Sequence, residues 1–133
     1  MTESDLQSRF TKYMKHHAQE HFSASVFYEL KITKTGSLPF SRIEDHQIQA
    51  LLDVKFDALC HKISDMSIGF KPFDGFIAIN ANAFIGICFY VPRKPLVVYL
   101  IDIMAMKNEI ASSKRRSLTE KRAKELSTIA IKL

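Results

Sequence analysis

Glu29 and Lys31, separated by a single leucine, are the residues of this 133-residue chain whose types and spacing best suit chemistry. Around them the sequence alternates. Val26, Tyr28, Leu30 and Ile32 fall on one side, and Phe27, Glu29, Lys31 and Thr33 on the other. That period belongs to a strand over residues 25–33, where positions i and i+2 share a face. One face is expected to be core and the other to present a carboxylate beside an ammonium. Phosphodiester hydrolysis uses such a pair. The carboxylate helps hold a hard divalent cation through oxygen. The cation lowers the pKa of bound water and neutralises charge on the phosphate. The lysine orients the attacking water or stabilises the oxyanion. Alone, the pattern equally describes a surface ion pair on a half-exposed strand.

The flanking elements must position this pair. Leu6, Phe10, Met14 and Ala18 recur every fourth residue and predict a helix from about Ser4 to Phe22, capped by Ser4 with Gln7 three residues on. His17 and His21 near its end have the i, i+4 spacing of metal ligands, but no Glu follows His17. They read as histidines favoured by the helix dipole. After the strand, Thr35-Gly36-Ser37 makes a turn and Pro39 an extended approach. A helix from Ser41 or Arg42 to Asp57 follows, with Ile43, Ile48, Leu51, Leu52 and Phe56 on its buried side.

Residues 58–64 read as a strand and 65–71 as a loop. Two strands at 72–80 and 84–91 are expected to form a hairpin through Asn80-Ala81-Asn82, with another strand at 96–103. A basic C-terminal helix is expected from about residue 117, with Ser117 and Glu120 as a capping box and Leu118, Leu126, Ile129 and Leu133 facing the core. The order predicts one α/β (α+β) domain spanning residues 1–133, a mixed sheet flanked by helices.

Residues 29–51 read ELKITKTGSLPFSRIEDHQIQAL. This segment resembles the RecU-type Holliday junction resolvases of the PD-(D/E)xK nuclease class. Their catalytic E-x-K strand continues through a Thr- and Ser-containing turn, a Pro, and a helix opening on His-Gln-Ile. Glu29 and Lys31 match the E-x-K, Ser37 and Pro39 the turn, and His46-Gln47-Ile48 the helix start. The strands at 84–91 and 96–103 agree more loosely. The resemblance implies a restriction-endonuclease-like sheet, Mg²⁺ or Mn²⁺ as cofactor, and DNA, especially branched or junction DNA, as substrate. It also implies a homodimer, because a symmetric junction must be cut on two strands.

The chain departs from that family at one acid. Members carry a metal-binding Asp upstream of the E-x-K strand; here Glu20 is nearest and belongs to the helix end. Downstream, Lys71-Pro72-Phe73-Asp74-Gly75 resembles the PD half of the motif, moved to a later strand. There Asp74, Phe76 and Ala78 would share a face, with Phe73, Ile77 and Ile79 toward the core. The expected catalytic set is therefore Glu29, Lys31 and Asp74, with Asp74, Glu29 and Asp65 as metal ligands and Glu3 as an auxiliary acid. Asp before Gly also suits an ordinary turn. A helix N-terminus attracts phosphate, so Arg42, His46 and Gln47, with Ser37 and Lys71, are expected to contact DNA. The basic run Lys114-Arg115-Arg116 joins them, although such runs also form solvated helix ends.

Bulk properties narrow the classes. The net charge of +5 suits a polyanionic partner. With 47% hydrophobic and 25% charged residues, neither a disordered nor a fibrous chain is expected. No apolar run has the length of a membrane helix, and the N-terminus lacks the apolar stretch of a secretory signal. Cys60 and Cys88 lack metal-ligand spacing and read as reduced core residues of a cytoplasmic protein in a bacterial, archaeal or phage-infected cell. Two alternatives to a nuclease stand beside it. One is a catalytically inactive DNA-binding relative; the other is a partner-binding protein in which Glu29 and Lys31 are a surface pair.

Overall fold

Along the chain, the computed structural model runs α1 (Glu3–His21), β1 (Val26–Thr33), β2 (Ser37–Pro39), a 3₁₀ turn (Phe40–Arg42) and α2 (Asp45–Phe56). It continues with β3 (Ala58–Lys62), β4 (Gly75–Ile79), β5 (Asn82–Phe89), β6 (Val97–Asp102) and α3 (Ile103–Ser112). β7 (Ser117–Thr119), α4 (Glu120–Leu126) and β8 (Ile129–Lys132) complete it. The structure describes residues 1–63 and 73–133. The mixed α/β class expected from the sequence is the one observed. No described helix is long and apolar enough to cross a membrane.

The main sheet has the order β1-β5-β6-β8. β1 runs parallel to β5, which requires a crossover, and α2 lies within it. β6 is antiparallel to both β5 and β8. β5 reads as a nearly continuous apolar run because it is covered on both faces. On one face, Leu6, Phe10 and Met14 of α1 pack on Leu30, Ile32, Phe84, Val98 and Leu100. On the other, Leu51 and Val54 of α2, Met106 of α3 and Ala123 of α4 pack on Ile85, Ile87, Tyr99 and Ile101. The face carrying Lys31 is thus buried rather than open, and Lys31 itself is only 8% exposed.

Several boundaries and pairings differ from the sequence expectation. Thr2, not Ser4, caps α1: its hydroxyl accepts the Asp5 N–H while Asp5 reaches back to the Thr2 N–H. Arg42 lies in the 3₁₀ turn, and α2 starts after a capping box of Glu44 with Gln47. Phe56, expected inside, is exposed. The expected β4–β5 hairpin does not form: among the described residues β4 pairs only with β3, in a two-stranded sheet. Asn80, with φ of 51°, turns the chain, and the Ala81 N–H is taken by the Val54 carbonyl. The side expected to face the core lies outside: Phe73, Ile77 and Ile79 are exposed, and on the opposite side Ala78 is buried while Phe76 is exposed.

The expected C-terminal helix is instead strand, short helix, strand. Thr119 caps α4, and Ile129 belongs to β8, where β6 offers an open edge to pair. α3 carries no expectation from the sequence, and Cys60 is exposed rather than core.

Candidate active site

β1 is an edge strand of the main sheet, so its outer border is where polar side chains can gather. The Lys31 ammonium lies 3.2 Å from Glu29 Oε1 and 3.7 Å from Glu3 Oε1. A buried lysine is rare unless paired, and here two carboxylates provide the pairing. Each carboxylate is held from a second side. The Gln47 amide, in the first turn of α2, donates to Glu29 Oε1 at 2.9 Å. Arg42 donates to Glu3 Oε2 at 3.0 Å and, through Nη1, to the Ile32 carbonyl. Acid and base alternate across the cluster, so like charges are kept apart by the cations between them.

Glu3 and Glu29 also share a cavity of about 240 Å³, bordered by Ser4, Gln7, Tyr28 and Leu30. The two carboxylates bring to it oxygen atoms of the kind a hard cation takes as ligands. Among the described residues, no group of three or more His, Cys, Asp and Glu is placed to hold a metal ion. Glu3 and Glu29 are the two acids that border this cavity.

The other candidate residues divide into two groups. Asp74 precedes β4, its carbonyl accepting the Ile63 N–H at 2.7 Å, and it lines a separate cavity with Cys60, His61 and Phe76. Glu29 borders neither that cavity nor that sheet. Asp65 and Lys71 lie outside the described residues. Glu20 is engaged with His17 at 3.0 Å, and His21 with the Tyr13 hydroxyl at 2.9 Å.

Of the DNA-contact candidates, Ser37 and the turn of Arg42 are joined to residues 114–116 by a small ribbon that the sequence does not announce. β2 pairs with β7, placing Ser37 opposite Thr119, and the Phe40 N–H donates to the Arg116 carbonyl at 3.0 Å. The run Lys114-Arg115-Arg116 is thereby fastened beside the turn that carries Arg42. His46 is exposed, with Nδ1 3.1 Å from Glu44.

Glu3 is the residue that sequence reasoning underrated. An acid in the first turn of a helix is what the helix dipole favours anyway, so it carries no distinguishing signal. No protein-family model matches the chain, and no curated protein or solved structure matches it either.

Proposed function

We propose that this protein is a divalent-cation-dependent DNA endonuclease whose active site is built from Glu3, Glu29 and Lys31, with Gln47 and Arg42 as positioning residues. One observation carries this reading: a buried lysine stands between two carboxylates that open on a common cavity at a sheet edge. Mg²⁺ or Mn²⁺ at the carboxylate pair would supply an activated water and neutralise charge on the phosphate. Lys31, fixed by burial, donates to the phosphate oxygen on which charge develops. Gln47 keeps Glu29 turned toward the cavity, and Arg42 does the same for Glu3. The resemblance of residues 29–51 to RecU-type resolvases supports DNA, branched DNA in particular, as substrate, acted on by a homodimer. The cations of residues 114–116, beside Arg42, supply phosphate contacts that position without reading sequence. In this assignment Glu3 takes the part that the sequence offered to Asp74.

The test is incubation with end-labelled four-way junctions and matched duplexes in Mg²⁺ or Mn²⁺. Wild-type protein is expected to nick the junction strands, and Lys31→Ala to leave them intact. Intact strands with folded wild-type protein would sink the assignment. A second reading, a DNA-binding relative without turnover, is favoured by the absence of a third acid near Glu3 and Glu29 among the described residues. It predicts binding that weakens steeply with salt and no cleavage in either metal.

A further inference from the structure

Glu29 borders two cavities, and the second is unlike the first. It has a volume of about 320 Å³ and lies between β1, α2 and β3, with walls that include Phe27, Leu51, Val54 and Leu59. Ala50 forms part of its α2 side, and Gln47 and His46 its polar end. An apolar cavity with a few polar groups at one end is the usual form of a small-ligand site, and this one is at the small end of the range.

Its remaining wall is the open edge of β1. Main-chain groups of successive strand residues point to opposite edges. The Thr33 carbonyl accepts the Tyr90 N–H on the β5 side, while the Ile32 carbonyl accepts Arg42 on the other. Tyr28 and Leu30, in phase with Ile32, direct their N–H and C=O groups to that outer edge. Among the described residues no strand pairs there. Tyr28 borders this cavity as well as the carboxylate cavity. The cavity therefore combines apolar walls with the strand edge that carries the Tyr28 main-chain N–H and C=O.

We propose that this cavity receives a single unstacked nucleobase next to the phosphodiester held at Glu29. The inference rests on the nuclease reading and narrows its substrate to DNA with a nucleotide out of the stack at the cleavage point. Apolar side chains cover the base faces, as in proteins that recognise splayed bases. The Tyr28 main chain meets the base edge. Glu29, shared by both cavities, places the base immediately beside the reacting phosphate. Intact duplex, with every base stacked, leaves the cavity unfilled and is cut slowly.

The experiment places 2-aminopurine at the nucleotide flanking the cleavage point of a four-way junction. Its fluorescence rises when the base leaves the stack. Binding is followed by anisotropy in EDTA, and cleavage afterwards in Mg²⁺. Wild-type protein is expected to raise the fluorescence several-fold on binding the junction. Ala50→Phe, at an exposed helix position, fills the cavity. It is expected to abolish the rise and slow cleavage about tenfold or more, the scale of one lost base-stacking contact. Binding and cleavage by wild-type protein with no fluorescence change, or normal cleavage by a folded Ala50→Phe, would overturn the base pocket and leave the nuclease standing. Neither binding nor cleavage by wild-type protein would overturn both. A thermal melt of Ala50→Phe separates a filled cavity from a misfolded variant, and the wild-type fluorescence decides without any variant.

Discussion

The side-chain amide of Gln47 donates to Glu29 at 2.9 Å, tying the first turn of α2 to the strand that carries the acid and the lysine. The Gln47 oxygen accepts the Glu44 N–H at 3.1 Å, so one side chain both caps the helix and aims the carboxylate. Partners that orient a metal-ligating carboxylate commonly contribute about 10–100-fold to affinity or activity. Gln47→Ala is expected to lower cleavage by that factor and to shift the Mg²⁺ requirement to higher concentration. A Mg²⁺ titration that superimposes on wild type would remove Gln47 from the site.

Which acid partners Glu29 can be decided without measuring activity. A cation that binds only the folded state raises the melting temperature by mass action. Mn²⁺ is expected to stabilise wild-type protein and Asp74→Asn alike, and to lose this effect in Glu3→Gln and Glu29→Gln. If Asp74→Asn alone abolishes the shift while Glu3→Gln keeps it, the carboxylate pair is Glu29 with Asp74.

Gly86 sits in the centre of β5 opposite Leu30. A Cβ placed there would come within 2.6 Å of Leu30 Cδ2 and 3.1 Å of both Leu100 Cδ2 and Val98 Cγ1. All three neighbours are buried, so none can swing into solvent. Gly86→Ala is expected to destabilise the protein by about 1–3 kcal/mol, the usual range for an overpacked core. Because the first clash is with Leu30, Glu29 and Lys31 on either side move too, and cleavage falls with stability. Urea unfolding and a cleavage assay on the same preparation check both. A stable variant with unaltered cleavage contradicts the packing shown here.

The two thiols should separate cleanly. Cys60 is exposed and Cys88 buried, and burial holds the Cys88 thiol above its ordinary value of 9.0. A thiol reagent is expected to label one cysteine in the folded protein and two in denaturant, with Cys60→Ser eliminating the fast reaction. Tyr99 is also raised from 10.0, by burial and by its hydrogen bond to Glu120. For groups raised in the fold, the stabilising contribution is complete below the unfolded pKa and disappears as pH rises through the folded one. The melting temperature should therefore fall above about pH 9, and Tyr99→Phe should fall less steeply. Melts at pH 7 to 11 that are flat for wild type would contradict this, the range being roughly that of the two groups.

What lay in the sequence was whatever covalent geometry fixes locally. A two-residue repeat puts Glu29 and Lys31 on one face of any strand that contains them, wherever that strand ends up. The spacing of Leu6, Phe10 and Met14 likewise dictated the buried stripe of α1, and the apolar run of β5 its place between two helical layers. Capping was less legible, since Ser4 with Gln7 fits the pattern of a capping box as well as Thr2 with Asp5, the pair that forms it.

The tertiary structure decided everything that needs a distant partner. Whether Phe73 or Ala78 faces inward depends on which side of the β3–β4 ribbon α2 occupies, and alternation is silent about sides. Residues 129–132 are a strand because β6 offered an edge, not because their own pattern demanded it. Glu3 reached Lys31 because α1 packs its apolar stripe across the sheet and thereby brings its first turn to the edge of β1. Apolar burial, which is non-directional, set that docking; the second carboxylate beside Lys31 followed from it and left no mark in the local sequence.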